Sequence, residues 1–178
     1  TWAMDGGGSL MNQSVHTIDL FQWFMGPVKS VFAKTDVFAH DIETEDAAVA
    51  LVTFKNGAFG SIIGTTTAYP GLDTTLQLHG ENGSIYMTDN KIVRWRIRGP
   101  QEKEVEEEMI ARFSSKADAA SADPTGIATT GHAGQVQDMV YAVLEDRDPI
   151  IPGSEARQAV EIILAIYESA RTGKEVFL

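Results

Sequence analysis

The sequence contains no cysteine. This absence excludes disulfides, thiolate metal sites, iron–sulfur clusters and cysteine nucleophiles. Cationic residues are also few, since 14 Lys and Arg stand against 25 Asp and Glu and give a net charge of -11. Because binding to nucleic acid requires clustered cations that displace counterions, no nucleic-acid partner is expected.

Long apolar runs and a basic leader are absent as well. No stretch approaches the roughly 18 apolar residues that a membrane span requires, and no basic segment opens the chain, so we expect a soluble, cytoplasmic protein without a membrane partner. What is present is ordinary for a globular protein: 43% hydrophobic and 22% charged residues. The 178 residues suffice for about one domain of roughly 150 residues. The start at Thr1 suggests the second part of a longer chain.

Three segments have the apolar spacing of amphipathic helices. The first, Ser9–Met25, ends at Gly26-Pro27. The second and third, His132–Glu145 and Ser154–Arg171, close the chain, and Gly173 is expected to cap the last one.

Short segments rich in β-branched residues fill the middle of the chain and predict five to seven strands. Two Asn-Gly pairs, at Asn56 and Asn82, predict tight hairpin turns between them. Gln101–Met109 is interpreted as a polar edge strand or loop, and Ser114–Thr130 as a long exposed loop. The predicted strands are Val28–Ala39, Ala47–Phe54, Ala58–Ala68, Thr74–His79, Ser84–Met87 and Ile92–Ile97, with a last short one at Val176–Leu178.

This order of elements predicts an α+β fold, in which a predominantly antiparallel sheet carries helices packed on one face as a two-layer sandwich. Val49, Leu51, Ile62 and Ile63 indicate that both sheet faces are apolar. A sheet face that helices do not cover is either solvated or used for association. The composition here favours association, as a homodimer or homotetramer through the sheet face.

A polar stripe on the first helix is the main candidate site. Asn12 and His16 are four residues apart and Asp19 follows three later, so they share a helix face. The run Gly6–Gly8 before the helix lets other groups approach the backbone closely. The alternative is that these side chains cap loops or satisfy buried backbone groups, just as His132 is explicable as the flank of its helix.

Other catalytic signatures are missing. The four histidines form no HxxxH, HExxH or HxH pair, so no metal site is expected. No GxGxxG follows a predicted strand, and no Walker loop or GxSxG elbow is present. This chain by itself is therefore not expected to hold a nicotinamide cofactor.

Several motifs, in order, resemble those of the Gfo/Idh/MocA oxidoreductases, the relatives of glucose–fructose oxidoreductase and inositol dehydrogenase. Gly6–Leu20 resembles the family motif GGGxLxDxGxHxxDL. The segments that resemble its "ED-A … F-NG-" hairpin, its "G-xxG-I" turn and its C-terminal helix are Glu45–Ala47 with Phe54–Ala58, His79–Ile85, and Pro152–Arg157 with Ala165–Ala170.

The resemblance implies that residues 1–178 form the substrate-binding and oligomerisation domain of a two-domain enzyme. NAD or NADP would be bound mainly by an N-terminal Rossmann domain that this sequence lacks, and a catalytic Lys belongs to that domain. His16 matches the histidine that exchanges a proton with the substrate hydroxyl, and Asn12 stands where many members have Asp. Gln13 and Asp19 match positions that often contact substrate hydroxyls, and His132 is a further candidate substrate contact.

The resemblance thus predicts an NAD(P)-dependent oxidoreductase that acts on a sugar, inositol or related polyol, with the isolated chain inactive. Because Asn12 can only hydrogen-bond His16, the histidine would be less basic than beside an Asp. In that case the Lys carries most of the proton transfer and His16 orients the hydroxyl. Two other classes stay open: a non-catalytic oligomerisation or binding module, and a metal-dependent hydrolase or isomerase.

Overall fold

The computed structural model describes residues 1–89, 91–114 and 129–178. The chain folds into two compact units. Unit 1 comprises Thr1–Leu72 and Ile151–Leu178, and unit 2 comprises Asp73–Ile150. The fold is α+β with antiparallel strands, as the sequence predicts.

Unit 1 contains a four-stranded antiparallel sheet and a layer of helices. Its elements in chain order are α1 (Trp2–Asp5), a π-helical segment (Leu10–Ser14), α2 (Val15–Met25), β1 (Val28–Asp36), β2 (Ala47–Phe54), β3 (Phe59–Thr65), α5 (Gly153–Thr172) and β7 (Val176–Phe177). The strand order in the sheet is β3-β2-β1-β7. Asn56-Gly57 forms the predicted hairpin between β2 and β3, with Gly57 at φ 90°.

One face of this sheet is covered by α5, which packs against β1, and by α2, which packs against α5 and contacts β2 and β3 through Phe21. On β2 the alternate residues Ala48, Ala50 and Val52 are buried, as period-two alternation requires. Phe21 of α2 packs edge-on against Phe54 of β2, with ring centroids 5.1 Å apart. The side chains that α5 buries are Ala159, Ile162, Ile163, Ala165, Ile166 and Ser169. Burial of the apolar side chains of the helices and of the covered sheet face, at about 25 cal/mol per Å² of apolar surface, stabilises unit 1.

The C-terminal helix ends as the sequence predicts. Gly173 adopts the left-handed conformation, with φ 67°, and its amide donates to the Ser169 carbonyl at 2.8 Å. Ser169 is fully buried, and its hydroxyl donates to the Lys174 carbonyl at 2.6 Å. The same hydroxyl accepts the amide hydrogen of Ala33 on β1, at 3.0 Å.

Unit 2 contains a three-stranded antiparallel sheet and helices. Its elements are β4 (Thr75–Gly80), β5 (Gly83–Thr88), β6 (Lys91–Ile97), α3 (Glu102–Ser114) and α4 (Thr129–Glu145). The strand order is β4-β5-β6, and α3 packs against β6. The second Asn-Gly pair joins β4 to β5, as expected. The predicted strands therefore divide between two sheets and do not form the single sheet expected from the sequence.

The interpretation of Gln101–Met109 as an edge strand or loop is wrong, because this segment begins α3. Glu, Lys, Met and Ala are strong helix formers, and Glu106 gives the helix a buried anchor. The Glu106 carboxylate accepts the Trp95 amide at 3.2 Å and pairs with the Arg96 guanidinium at 2.8 Å, both on β6. Most of the predicted loop Ser114–Thr130 lies outside the described residues, and its last two residues begin α4.

Candidate functional site

The polar side chains predicted to form the site lie on the π-helical segment and on α2. Asn12, Gln13, His16 and Asp19 are all exposed, whereas Leu10, Ile18 and Phe21 on the opposite side are buried. A substrate can therefore reach the predicted residues. Trp23 is also exposed and lies one turn beyond Asp19.

The turn that carries Asn12 is π-helical, over Leu10–Ser14. Single π-helical turns within α-helices are rare and occur frequently at functional sites. The side-chain amide of Asn12 donates to the carbonyl oxygens of Gly7 and Gly8, at 2.9 and 3.2 Å. These bonds use both of its donor hydrogens, so Oδ1 is the atom that can bind an imidazole N–H or a substrate hydroxyl.

The glycine run before this turn is closed by groups of the same chain. A Cβ at Gly8 would collide with the carbonyl oxygen of Glu45, and a Cβ at Gly7 would collide with the hydroxyl of Tyr167. The close approach expected from the sequence is thus made by Glu45 and Tyr167. The run does not fit a dinucleotide phosphate, because Glu45 and Tyr167 occupy the space beside it.

Glu45 lies just before β2 and is only 3% exposed. Its carboxylate accepts the amide hydrogens of Gly8 and Leu10, at 2.9 and 2.8 Å, and the Tyr167 hydroxyl at 3.1 Å. Its carbonyl oxygen accepts the amide of Ser9 at 3.0 Å. Burial, and next the charge of Glu45, raise the pKa of Tyr167 well above its usual range, so the phenol stays protonated.

Glu45 and Tyr167 are the residues to which sequence reasoning gave no role. Both lie in segments that resemble family motifs, and that resemblance was the available signal. The Trp2 ring packs edge-on against Tyr167, with centroids 5.1 Å apart, and its indole N–H donates to the Glu43 carbonyl at 2.8 Å. These contacts fix the ring that covers Gly7.

The neighbouring carboxylate, Asp46, has different hydrogen-bond partners from those of Glu45. It is fully buried and accepts the amides of Phe38, Ala39 and His40 at 2.8–3.0 Å, and its oxygen is 3.1 Å from the His40 ring. Burial raises the pKa of Asp46, but these hydrogen bonds together outweigh it and hold the pKa far below its usual range. Asp46 therefore organises the loop between β1 and β2.

His132 belongs to unit 2, where it is exposed on α4, whereas the other predicted site residues belong to unit 1. Among residues 1–89, 91–114 and 129–178, no three His, Asp or Glu side chains are placed to hold a metal ion. Within the same ranges, no helix is long and apolar enough to cross a membrane.

Residues 1–86 match the family model described as the GFO/IDH/MocA C-terminal domain. Two curated relatives match a similar portion of the chain. Myo-inositol 2-dehydrogenase of Thermotoga maritima is 32% identical over 88 residues, which cover 45% of this chain and 25% of the relative. The uncharacterized oxidoreductase YrbE of Bacillus subtilis is 34% identical over 83 residues, or 44% of this chain and 24% of the relative.

Solved structures resemble nearly the whole chain. The WlbA dehydrogenase of Bordetella pertussis, crystallised with NADH and UDP-GlcNAcA, is 31% identical with a TM-score of 0.77 over 97% of this chain. The Chromobacterium violaceum WlbA dehydrogenase, crystallised with the same two compounds, is 31% identical with a TM-score of 0.79 over 97% of this chain. This chain covers 48% and 46% of those two proteins, respectively, or about half of their length.

Proposed function

We propose that this chain belongs to the Gfo/Idh/MocA family, whose C-terminal domain matches residues 1–86, and that it is the substrate-binding part of an NAD(P)-dependent oxidoreductase. The substrate class is a sugar, inositol or related polyol. The names of the relatives support both the substrate class and the nicotinamide cofactor. One relative is a myo-inositol dehydrogenase, and two were crystallised with NADH and a nucleotide sugar. Residues 1–178 would form the substrate-binding and oligomerisation domain.

The observation that carries the proposal is the exposed stripe of Asn12, His16 and Asp19, with Gln13 also exposed, on a helix whose start is fixed by buried contacts. Oxidation of a hydroxyl to a carbonyl removes a hydride from carbon and a proton from oxygen. A nicotinamide cofactor, bound mainly by another domain, would supply the hydride acceptor. His16 assists transfer of the proton from the substrate hydroxyl, while the Asn12 Oδ1 and the Asp19 carboxylate orient the substrate through its hydroxyl hydrogens.

Replacement of His16 in the full-length protein tests this assignment. General acid–base groups contribute about 10²–10⁴ in rate, so His16→Ala should lower kcat at least about ten-fold. The measurement is NADH or NADPH formation with myo-inositol and with UDP-GlcNAcA. His79→Ala is the control, because His79 is an exposed histidine of unit 2 whose ring Nδ1 lies 3.0 Å from the Ser84 hydroxyl.

Wild-type turnover in His16→Ala would remove this residue from the chemistry. Absence of turnover with both compounds, in a protein that binds the nicotinamide cofactor, would remove the proposed substrate class. Equal losses in His16→Ala and His79→Ala would point to a general loss of structure.

The uncovered face of the unit 1 sheet supports a second function, self-association. This open face carries six large apolar side chains, all at least 41% exposed: Phe32, Val49, Leu51, Phe59, Ile63 and Phe177. They expose roughly 600–700 Å² of apolar surface, more than the 300–600 Å² or so typical of the largest patch on a monomer. A standard interface buries about 800 Å² on each partner, so a second copy that presents the same face is a suitable occupant.

Leu51→Asp tests the association, because it places a charge at the centre of the open face. In sedimentation of the full-length protein, we expect the wild type to form a dimer or tetramer and Leu51→Asp to dissociate. Lys29→Asp is the control, since it changes charge at an exposed position of β1 outside the apolar set. A wild type that stays monomeric at high concentration would contradict the proposal.

A further inference from the structure

We propose that Glu45 is a positioning residue, which holds the Asn12 side chain in place through two backbone peptide groups. This inference rests on the proposed function of Asn12 and His16 and adds a residue that touches neither substrate nor cofactor. It derives from the contacts of a single buried carboxylate that has no Lys, Arg or His among its hydrogen-bond partners in the described residues.

Three consecutive amides at the start of the π-helical segment donate to this one residue. Those of Gly8 and Leu10 bind its carboxylate oxygens, and that of Ser9 binds its carbonyl oxygen. The first amides of a helix have no partner within the helix. An anion at this end is favoured by the partial positive charge there, and hydrogen bonds to a charged acceptor are stronger than neutral ones.

The same peptide groups hold Asn12 on their other side. The Gly7 carbonyl and the Gly8 amide belong to one planar peptide group: the amide donates to Glu45 and the carbonyl accepts from Asn12 Nδ2. In the next peptide group, the Ser9 amide donates to Glu45, while the Gly8 carbonyl accepts both from Nδ2 and from the Asn12 amide at 3.0 Å. Because hydrogen bonds in a chain polarise and strengthen one another, Glu45 and Asn12 are coupled through these planes.

This coupling has a direct consequence for the site. Because Nδ2 is held by the two carbonyls, Oδ1 of Asn12 points away from the glycine run. Asn12 lies one helical turn before His16. If Glu45 lost its charge, the amides of Gly8 and Leu10 would lose a strong acceptor, and the carbonyls that bind Asn12 would move. Misplacement of a catalytic group by about 1 Å can cost about 10²-fold in rate.

The test compares Glu45→Gln with Asp46→Asn in the full-length protein. Both changes replace a buried carboxylate by its isosteric amide, but Asp46 binds the amides of residues 38–40 and not the glycine run. In Glu45→Gln, the side-chain NH₂ group faces a backbone amide N–H of Gly8 or Leu10, and two donors cannot form a hydrogen bond. We expect kcat for oxidation of the substrate to fall about ten-fold in Glu45→Gln, while Asp46→Asn keeps it within about two-fold.

A double-mutant cycle with Asn12→Ala separates positioning from general loss of structure. If Glu45 acts through Asn12, Glu45→Gln should change kcat by less than about two-fold once Asn12 is alanine, because coupled residues are not additive. Multiplicative losses in the double variant would overturn the proposal, as would wild-type kcat in Glu45→Gln or in Asn12→Ala. Tyr167→Phe is a milder variant that removes one donor to Glu45 and keeps the amide bonds; a smaller loss is expected.

Hydrogen exchange gives a readout that needs no substrate. The amides of residues 8–12 should exchange faster in Glu45→Gln and at the wild-type rate in Asp46→Asn, whereas those of residues 38–40 should show the reverse. Unchanged exchange at residues 8–12 in Glu45→Gln would overturn the proposal even if the enzyme acts on another substrate. Unchanged turnover in His16→Ala, with faster exchange in Glu45→Gln, would instead contradict the proposed function alone.

Discussion

The two faces of the unit 1 sheet are similar in composition but differ in what covers them. Along β2, Ala48, Ala50 and Val52 face the layer of α2 and α5 and are buried, whereas Val49 and Leu51 face the opposite way and are exposed. Both sets are apolar. Alternation along the strand therefore assigns residues to a face, but it does not show which face a helix covers.

The two faces therefore contribute to stability in different ways, one through folding and the other through binding. The covered face belongs to the core of a single chain, so its packing determines whether unit 1 folds. The open face is apolar without a partner from the described residues of its own unit, and its contribution depends on what binds it. Adjacent residues of one strand can therefore be substituted with very different results.

The largest expected effect is on the covered face. Ile62 and Ile63 are consecutive isoleucines of β3, 8% and 72% exposed respectively. Ile62→Ala should lower the free energy of unfolding by about 2–5 kcal/mol, because it removes buried methyl groups and leaves a cavity. Ile63→Ala, measured at a dilution where the protein is monomeric, should change it by less than about 0.5 kcal/mol.

Denaturant unfolding of the two variants measures both values. Equal losses of unfolding free energy would mean that the two faces are equally packed in solution, which would contradict this prediction. A loss in Ile63→Ala that appears only at high protein concentration would instead indicate that self-association covers the open face.

Acidification should have a smaller effect on the free energy of unfolding. This effect should arise from Asp46 and from neither face of the sheet. Asp46 precedes β2, and its folded-state pKa lies far below the unfolded value of about 3.9. Such a group stabilises the fold above the unfolded pKa, and this stabilisation is lost as the pH falls below about 4 toward the folded pKa. Unfolding curves at several pH values should thus show a shallower acid loss in Asp46→Asn than in the wild type. Parallel losses would exclude Asp46 as a source of the acid sensitivity.

Local signals in the sequence predicted much of the fold. The Asn-Gly turns, the run from Ala47 to Phe54 and the glycine cap at Gly173 each depend on near neighbours in the chain, and the structure confirms them. The division of the strands into two sheets was not predicted, because strand pairing is a long-range property. The helical state of Glu102–Ser114 was missed because its anchor, Glu106, is fixed by Arg96 and Trp95 on another element.

Part of the candidate site was predictable because it too depends on near neighbours in the chain. Asn12, His16 and Asp19 are close in sequence, so helical spacing alone predicted a shared face, and the structure exposes them all. Their roles in catalysis stay predictions. Glu45 and Tyr167 were missed because they reach the glycine run from residues far away along the chain.

The hydroxyl of Ser169 has a consequence for how copies of this protein can meet. Strand β7 pairs with β1 only at Ser30 and Val31, and the Ala33 amide beyond it donates to Ser169. An outermost strand with unsatisfied amides is a template for strand addition by another molecule. Here a buried serine from α5 takes up that donor, so the sheet is not open to extension at this point of its border. Copies that associate would stack their sheets and would not lengthen them there.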